Sequence, residues 1–151
     1  MTKPNLRYAD VVIRSAHLID GTGSPATYGD VAITNDKIVA IRDLSEVLGS
    51  REIEAHARAL APGFIDVHTH DDRAVLSDPI MACKISQGVT TVITGNCGIS
   101  LAPLTSKLLP PPLDLIADRP ESLFPDFPTY LNALDNEPPA VNLAAQVGHS
   151  T

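Results

Sequence analysis

The segment that most constrains this chain is a nearly continuous apolar run over residues 60–67, which ends in His68-Thr69-His70. Such a run is typical of a strand that is buried on both faces of a parallel sheet. Side chains two positions apart on a strand point to the same face, so His68 and His70 would direct two imidazoles to one place at the carboxyl end of this strand. Imidazole is a common ligand for zinc and related metals. The pair therefore predicts part of a catalytic metal site.

Composition and charge exclude several classes of protein. The chain has 151 residues, of which 44% are hydrophobic, and this is enough for the packed core of one domain. Its net charge is -7 and it has no run of basic residues, which argues against a nucleic-acid partner. Two cysteines are too few for a disulfide scaffold. Residues 1–18 contain no apolar signal segment and no stretch is long enough to span a bilayer, so we expect a cytoplasmic protein without a membrane partner.

The N-terminal part of the sequence is predicted to be β-structure. Short apolar or β-branched segments, separated by turn residues, predict strands at 10–14, 17–19, 30–34, 37–41 and 51–55. Asn35-Asp36 lies between two of these segments, and both residues tolerate a positive φ, so a tight hairpin is expected there. We therefore predict a small antiparallel β domain, a portion of a β-sandwich, over residues 1–59.

After residue 59 the pattern changes to alternating strands and helices. Strands are predicted at 60–67, 89–94 and 141–147, with helices at 80–87 and from residue 127 onwards. Asp78-Pro79 would begin the first helix and Gly88 would end it, while apolar residues at helical spacing mark the second. A long Pro-rich loop over residues 101–127 lies between them. This order predicts βαβ units and a parallel sheet, either an open sheet or the opening arc of a (β/α)8 barrel.

Each predicted parallel strand is followed by side chains that carry chemistry, and active sites of such folds form at the carboxyl ends of strands. The second strand ends in Gly95-Asn96-Cys97-Gly98, where Cys97 is either a metal ligand or a structural cysteine. The third ends at His149, which would bind metal or substrate, support a ligand, or have a structural role. Asn96 is a candidate for contact with the substrate or a metal ligand. Asp66 is expected to support the ligands or to pack beside them.

Several motifs resemble the amidohydrolase superfamily. The segment Ala61-Pro62-Gly63-Phe64-Ile65-Asp66-Val67-His68-Thr69-His70 is similar to the first-strand signature of that superfamily, and residues 18–23 and 36–41 resemble its N-terminal β segment. The Gly95-Asn96-Cys97-Gly98 element resembles a narrower branch, the N-acyl-D-amino-acid deacylases, also called D-aminoacylases. Residues 88–92, 127–131 and 147–151 are similar to that branch as well.

This resemblance implies a fold, a metal and a reaction. Residues 60–151 would be the first three βα units of a metal-dependent (β/α)8 barrel, which typically needs about 250 residues. His68 and His70 would be ligands of one metal position, and Cys97 a thiolate ligand that can bridge to a second, so that one or two Zn²⁺ ions are bound. The implied reaction hydrolyses N-acyl-D-amino acids to a carboxylate and a free D-amino acid.

The resemblance also implies that part of the catalytic machinery lies elsewhere. Two further histidine ligands and the acid–base aspartate of the family are expected beyond Thr151, so no catalytic residue is assigned within this chain. The chain would thus be truncated and would need the remainder of the barrel. We expect the 151 residues alone to be inactive.

Two other interpretations compete with a deacylase. A cyclic amidase, such as a dihydroorotase or hydantoinase, belongs to the same superfamily but more often uses a carboxylated lysine as the metal bridge. The Gly-Asn-Cys-Gly setting of Cys97 favours the deacylase. The other alternative is a catalytically inactive truncated remnant that persists as a metal-binding or oligomeric module, and its open sheet edge would promote self-association.

Overall fold

The computed structural model describes residues 6–104, 108–109 and 111–151. Four residues of the predicted Pro-rich loop, 105–107 and 110, and the first five residues of the chain lie outside the described residues. The chain divides into two compact units, Met1–Pro62 and Gly63–Thr151. Among the described helices, none has the length and apolar character needed to cross a membrane.

The first unit is built on one five-stranded sheet. Its strands are β1 (Tyr8–Leu18), β2 (Thr27–Thr34), β3 (Lys37–Arg42), β4 (Leu48–Glu54) and β5 (Ala59–Leu60). The order is β3-β2-β1-β4, and β5 also pairs with β1. The hairpin between β2 and β3 is confirmed, because these strands pair antiparallel and Asn35 in the turn has φ +54°.

The prediction of a wholly antiparallel domain is wrong, because β1 pairs in parallel with both β4 and β5. The reason is the connection after β3, which returns the chain so that β4 lies beside β1 and not beside β3. Leu44 and Val47 of this connection are buried in the core with Val12. The guanidinium of Arg14 donates to the carbonyls of Leu44 and Val47 at 2.7 and 2.6 Å, which holds the connection in place.

The second unit has the βαβ order that the sequence predicts. Its elements are β6 (Phe64–Asp66), α1 (Ala74–Ser77), α2 (Ala82–Ile85), β7 (Val89–Thr94), α3 (Phe127–Asn136) and β8 (Asn142–Ala145), with 3-10 turns at Asn96–Gly98, Leu113–Leu115 and Pro120–Ser122. The three strands form a parallel sheet in the order β6-β7-β8. The described structure is thus a mixed α/β fold with one mixed sheet and one small parallel sheet.

The helix predicted over residues 80–87 is shorter than expected. The side chain of Met81 is buried, and its backbone adopts φ +50°, so the helix begins only at Ala82. The last helix, α3, begins as predicted, because the carboxylate of Asp126 accepts the backbone N–H of Thr129 at 2.7 Å and caps it. Tyr130 and Leu134 of α3 are buried in the core of this unit.

The prediction that residues 60–67 form a strand buried on both faces is wrong for this structure. Phe64, Ile65 and Val67 are 66%, 59% and 63% exposed. The physical reason is that β6 lies at the edge of its three-stranded sheet, and among the described residues these three side chains are not part of the hydrophobic core of this unit. The apolar run still forms a strand, but only Phe64–Asp66 pairs with β7.

Candidate metal centre

The three predicted metal ligands lie together at the carboxyl edge of the parallel sheet. One ligand atom from each of His68, His70 and Cys97 lies within 4.8 Å of the others, and all three residues are exposed. The Nε2 atom of His68 is 3.2 Å from the Sγ atom of Cys97. The two imidazole rings stand 6.0 Å apart between centroids. The adjacency of β6 and β7 in the sheet brings these strand ends to one place.

The chemistry and spacing of these donors fit a zinc ion. Zn²⁺ binds imidazole nitrogen and thiolate sulfur at about 2.0–2.3 Å, so two ligands of one tetrahedral ion are roughly 3.3–3.8 Å apart. The separation of His68 Nε2 and Cys97 Sγ is close to this range. Catalytic zinc sites often use three protein ligands and leave one position open. Two imidazoles and one thiolate could form such a set.

A strained turn presents the side chain of Cys97. Cys97 has φ +56°, an uncommon conformation for a residue with a side chain, and its neighbour Gly98 has φ +78°. Gly95, before the turn, has φ +80°, and a Cβ atom there would overlap the carbonyl oxygen of Gln146. The turn is therefore packed directly against the chain that follows β8. Backbone strain of this kind is found where the surroundings hold a functional residue in place.

The side chain of Asn96 joins the cysteine turn, Asn96–Gly98, to the histidine segment, residues 68–70. Its Nδ2 group donates to the carbonyl of Thr69 at 3.2 Å and to the carbonyl of Ile93 at 2.7 Å. Thr69 lies between the two candidate histidine ligands. In this structure Asn96 therefore braces the backbone that carries His68, His70 and Cys97.

His149 lies beside the cysteine turn but outside the group of three ligand atoms. A Cβ atom on Gly98 would be only 2.7 Å from His149 Nδ1, so the imidazole packs against the bare backbone of Gly98. The Nε2 atom of His149 is 3.4 Å from the hydroxyl of Ser150, and the residue is exposed. Its assignment as a contact for substrate or ligand stays a prediction.

Asp66 lies next to the histidine segment and forms an ion pair with Lys84. Its Oδ2 atom is 2.7 Å from Lys84 Nζ, and its Oδ1 atom accepts the backbone N–H of His68 at 3.3 Å. The hydrogen bond from Lys84 is the main reason why the pKa of Asp66 is lowered. Lys84 also contacts Asp71 Oδ2 at 2.8 Å. Burial acts to lower the pKa of Lys84, but the two carboxylates outweigh it and raise that pKa.

The sequence alone gives little indication of a role for Lys84. It lies in α2, between Cys83 and Ile85, within a short helix that was predicted from its ends. The only local signal was a single cation in a mostly apolar helical segment. Its partners are 13 to 18 positions away in the sequence, and only the packing of α2 against the end of β6 brings them together.

A buried carboxyl group lies behind the histidine segment. Asp72 is 1% exposed, and neither of its carboxylate oxygens has a hydrogen-bond partner among the described residues. Burial raises the pKa of Asp72. The hydroxyl of the buried Tyr130 donates to the backbone carbonyl of Asp72 at 3.1 Å, and burial also raises the pKa of Tyr130. This contact anchors α3 to the segment that follows the histidines.

A cleft of about 300 Å³ opens beside His70. One side is formed by Arg73 and Ser77, and the other by residues of the Leu113–Leu115 turn and the segment after it. The guanidinium of Arg73 is paired with the carboxylate of Asp118 at 3.0 Å, and both lie at the cleft. The cleft thus offers space for part of a small molecule next to one candidate ligand.

Comparisons with known proteins show similarity to amidohydrolases. The model of the family described as "Amidohydrolase family" matches residues 51–151. An N-acyl-D-aspartate deacylase of Alcaligenes xylosoxydans xylosoxydans is 51% identical over 95% of this chain and 29% of its own length. A solved D-aminoacylase, studied for its binuclear metal centre, is 49% identical, with a TM-score of 0.90 over 95% of this chain and 30% of its own.

A second solved structure extends the likeness to an enzyme with zinc bound. The N-acyl-D-glutamate deacylase of Bordetella bronchiseptica, solved with zinc and a phosphonate inhibitor, is 41% identical, with a TM-score of 0.87 over 93% of this chain and 30% of its own. The present chain therefore spans about 30% of the length of these relatives.

Proposed function

Because this chain belongs to the amidohydrolase family, we propose that it is the N-terminal part of a zinc-dependent hydrolase of N-acyl-D-amino acids. The products of the reaction would be a carboxylate and a free D-amino acid. The observation that supports this proposal most strongly is the cluster of His68, His70 and Cys97 at the ends of two adjacent parallel strands. The names of the similar deacylases supply the substrate class. A cytoplasmic location remains a prediction.

We further propose that β6, β7 and β8 are the opening strands of a (β/α)8 barrel, preceded by the small β domain. The high structural similarity to D-aminoacylase over this part of its chain supports this. Remaining strands of a barrel would cover the exposed side chains of Phe64, Ile65 and Val67, which otherwise leave apolar surface in water. The whole protein's activity would then require the rest of the barrel.

In the proposed mechanism, His68, His70 and Cys97 would hold the zinc ion, with two imidazole nitrogens and one thiolate sulfur as its ligands. When bound, Zn²⁺ supplies Lewis-acid activation of the amide carbonyl and of water. Asn96 keeps the cysteine turn beside the histidine segment through its two hydrogen bonds to backbone carbonyls. The cleft beside His70 leaves room for one end of the substrate. The acid–base group that passes a proton to the leaving amine is expected in the remainder of the protein.

Two exposed cysteines allow a matched test of the metal site. Cys97→Ala in the full-length protein should lower the zinc bound per polypeptide, whereas Cys83→Ala, which changes the exposed cysteine of α2, should leave it unchanged. Zinc would be measured by atomic emission after dialysis. An unchanged zinc content in the Cys97→Ala protein would remove Cys97 from the centre.

Substrate assays separate the deacylase from the cyclic amidase. The full-length protein should release free amine from N-acetyl-D-amino acids and not from their L-enantiomers. Hydrolysis of dihydroorotate or hydantoins alone would favour the cyclic amidase and overturn the deacylase proposal.

The isolated 151-residue chain should be inactive and should self-associate through its exposed apolar strand, which sedimentation would detect.

A further inference from the structure

The ammonium group of Lys84 lies where three acceptors from one short segment meet. Its Nζ atom is 2.7 Å from Asp66 Oδ2, 2.8 Å from Asp71 Oδ2 and 3.2 Å from Thr69 Oγ1. The ammonium donates hydrogen bonds to Asp66 and Thr69 and forms a second ion pair with the carboxylate of Asp71. The Lys84 side chain is 19% exposed, and the side chains of the two aspartates are 31% and 18% exposed. The group is therefore partly shielded from water.

The three acceptors alternate with the two candidate histidine ligands. Asp66 precedes His68, Thr69 lies between the histidines, and Asp71 follows His70. Asp66 also accepts the backbone N–H of His68 through its other oxygen at 3.3 Å. Thr69 is held from two sides, because Lys84 binds its hydroxyl while Asn96 binds its carbonyl. Lys84 thus contacts the residues around both histidines without contacting either imidazole.

We propose that Lys84 is a positioning residue of the metal centre, which fixes the backbone around His68 and His70 and keeps two neighbouring carboxylates away from the metal. This inference rests on the proposed zinc site. Without the ammonium, Asp66 and Asp71 would be free to turn, and carboxylate oxygen is a ligand that suits Mn²⁺ and Mg²⁺ better than thiolate or imidazole does. Lys84 would therefore affect both the affinity of the site and its preference for zinc.

The test uses Lys84→Met in the full-length protein after removal of metal. Outer groups that orient metal ligands typically contribute about 10-fold to 100-fold in affinity, so zinc should bind that much more weakly in a competition with a chromophoric chelator. The ratio of zinc to manganese affinity should fall as well, which a general loss of stability would not cause. Lys84→Arg, which keeps the positive charge, should recover part of the zinc affinity. Lys37→Met, at an exposed lysine of β3, is the control and should behave as wild type.

A milder variant covers the case in which Lys84→Met does not fold. Thr69→Val removes only the hydroxyl acceptor, keeps both ion pairs, and should weaken zinc binding roughly 3-fold to 10-fold. Zinc affinity within 2-fold of wild type in Lys84→Met, or in Thr69→Val if the first does not fold, would overturn the positioning role. His68→Ala separates the two proposals. If His68→Ala abolishes zinc binding while Lys84→Met leaves zinc binding unchanged, the metal centre stands and only the role of Lys84 is wrong. If it leaves zinc binding unchanged, the zinc centre itself is wrong.

Discussion

The two glycines that flank β7 allow the packing of the cysteine turn to be measured. Gly95 has φ +80°, and a Cβ atom there would overlap the carbonyl oxygen of Gln146 and lie 2.8 Å from its carbonyl carbon. Gly88 has almost the same backbone conformation, with φ +81°, but the nearest atoms to its Cβ would be those of the Phe64 ring, at 3.5 and 3.7 Å. Gly88→Ala therefore carries the conformational cost alone, and Gly95→Ala carries the same cost together with a steric overlap.

The expected losses of unfolding free energy follow from these two terms. An L-residue in the left-handed region costs about 1–2 kcal/mol, and this applies to both substitutions. Forcing extra atoms into a packed site typically costs a further 1–3 kcal/mol or so, and this applies only to Gly95→Ala. We therefore expect a loss of about 1–2 kcal/mol for Gly88→Ala and about 2–5 kcal/mol for Gly95→Ala. Moving the turn should also displace Cys97 and lower the zinc content.

Urea unfolding of the metal-free full-length variants, followed by circular dichroism, would measure the difference. Zinc content would be determined separately on the folded proteins. If both variants lose the same free energy, the backbone after β8 does not pack against Gly95 as the structure has it. If Gly95→Ala is strongly destabilised but retains its full zinc content, the position of Cys97 does not depend on this contact.

Three further substitutions test single contacts. Asn96→Ala removes two hydrogen bonds to backbone carbonyls and should lower the free energy of unfolding in urea by about 1–3 kcal/mol. It should also lower the affinity for zinc. Unchanged zinc binding would show that the Asn96 hydrogen bonds do not position the metal ligands. Tyr130→Phe removes the hydrogen bond to the Asp72 carbonyl and should cost about 0.5–1.5 kcal/mol, whereas a stabilised variant would contradict the contact. The hydrogen bonds from Thr129 lower the pKa of Asp126. The ionised carboxylate therefore contributes to the stability of the folded protein above the ordinary carboxyl pKa, and this contribution is lost as the pH falls through the lowered pKa. Asp126→Ala should therefore lower the melting temperature at pH 7 by more than at pH 2–3, and an equal effect at both pH values would refute the charged cap.

The candidate site was predictable because its ligands are marked locally. An apolar strand that ends in His68-Thr69-His70 and a β-branched strand that ends at Cys97 both show their character within ten residues. The parallel pairing of the two strands follows from the helix between them, since parallel neighbours need such a crossover. That pairing brings the ends of the two strands to one edge of the sheet, where the three ligand atoms lie within 4.8 Å of one another.

Other features required the tertiary structure because they depend on partners distant in sequence. Nothing near β4 indicates that it pairs in parallel with β1, because that pairing is decided by the path of the connection that Arg14 holds. The apolar pattern of Phe64–Asp66 predicts a strand but not its neighbours, so its position at the sheet edge and its exposure were not foreseen.

The sequence by itself therefore determined which residues could bind a metal and the alternation of strands and helices, because both are properties of short segments. Only the tertiary structure decided what holds those residues in position. The ion pairs of Lys84, the brace from Asn96 and the contact of Gly95 with Gln146 join segments 13 to 51 residues apart. Such contacts depend on the packing of whole elements, which short-range patterns of hydrophobicity and turn residues do not encode.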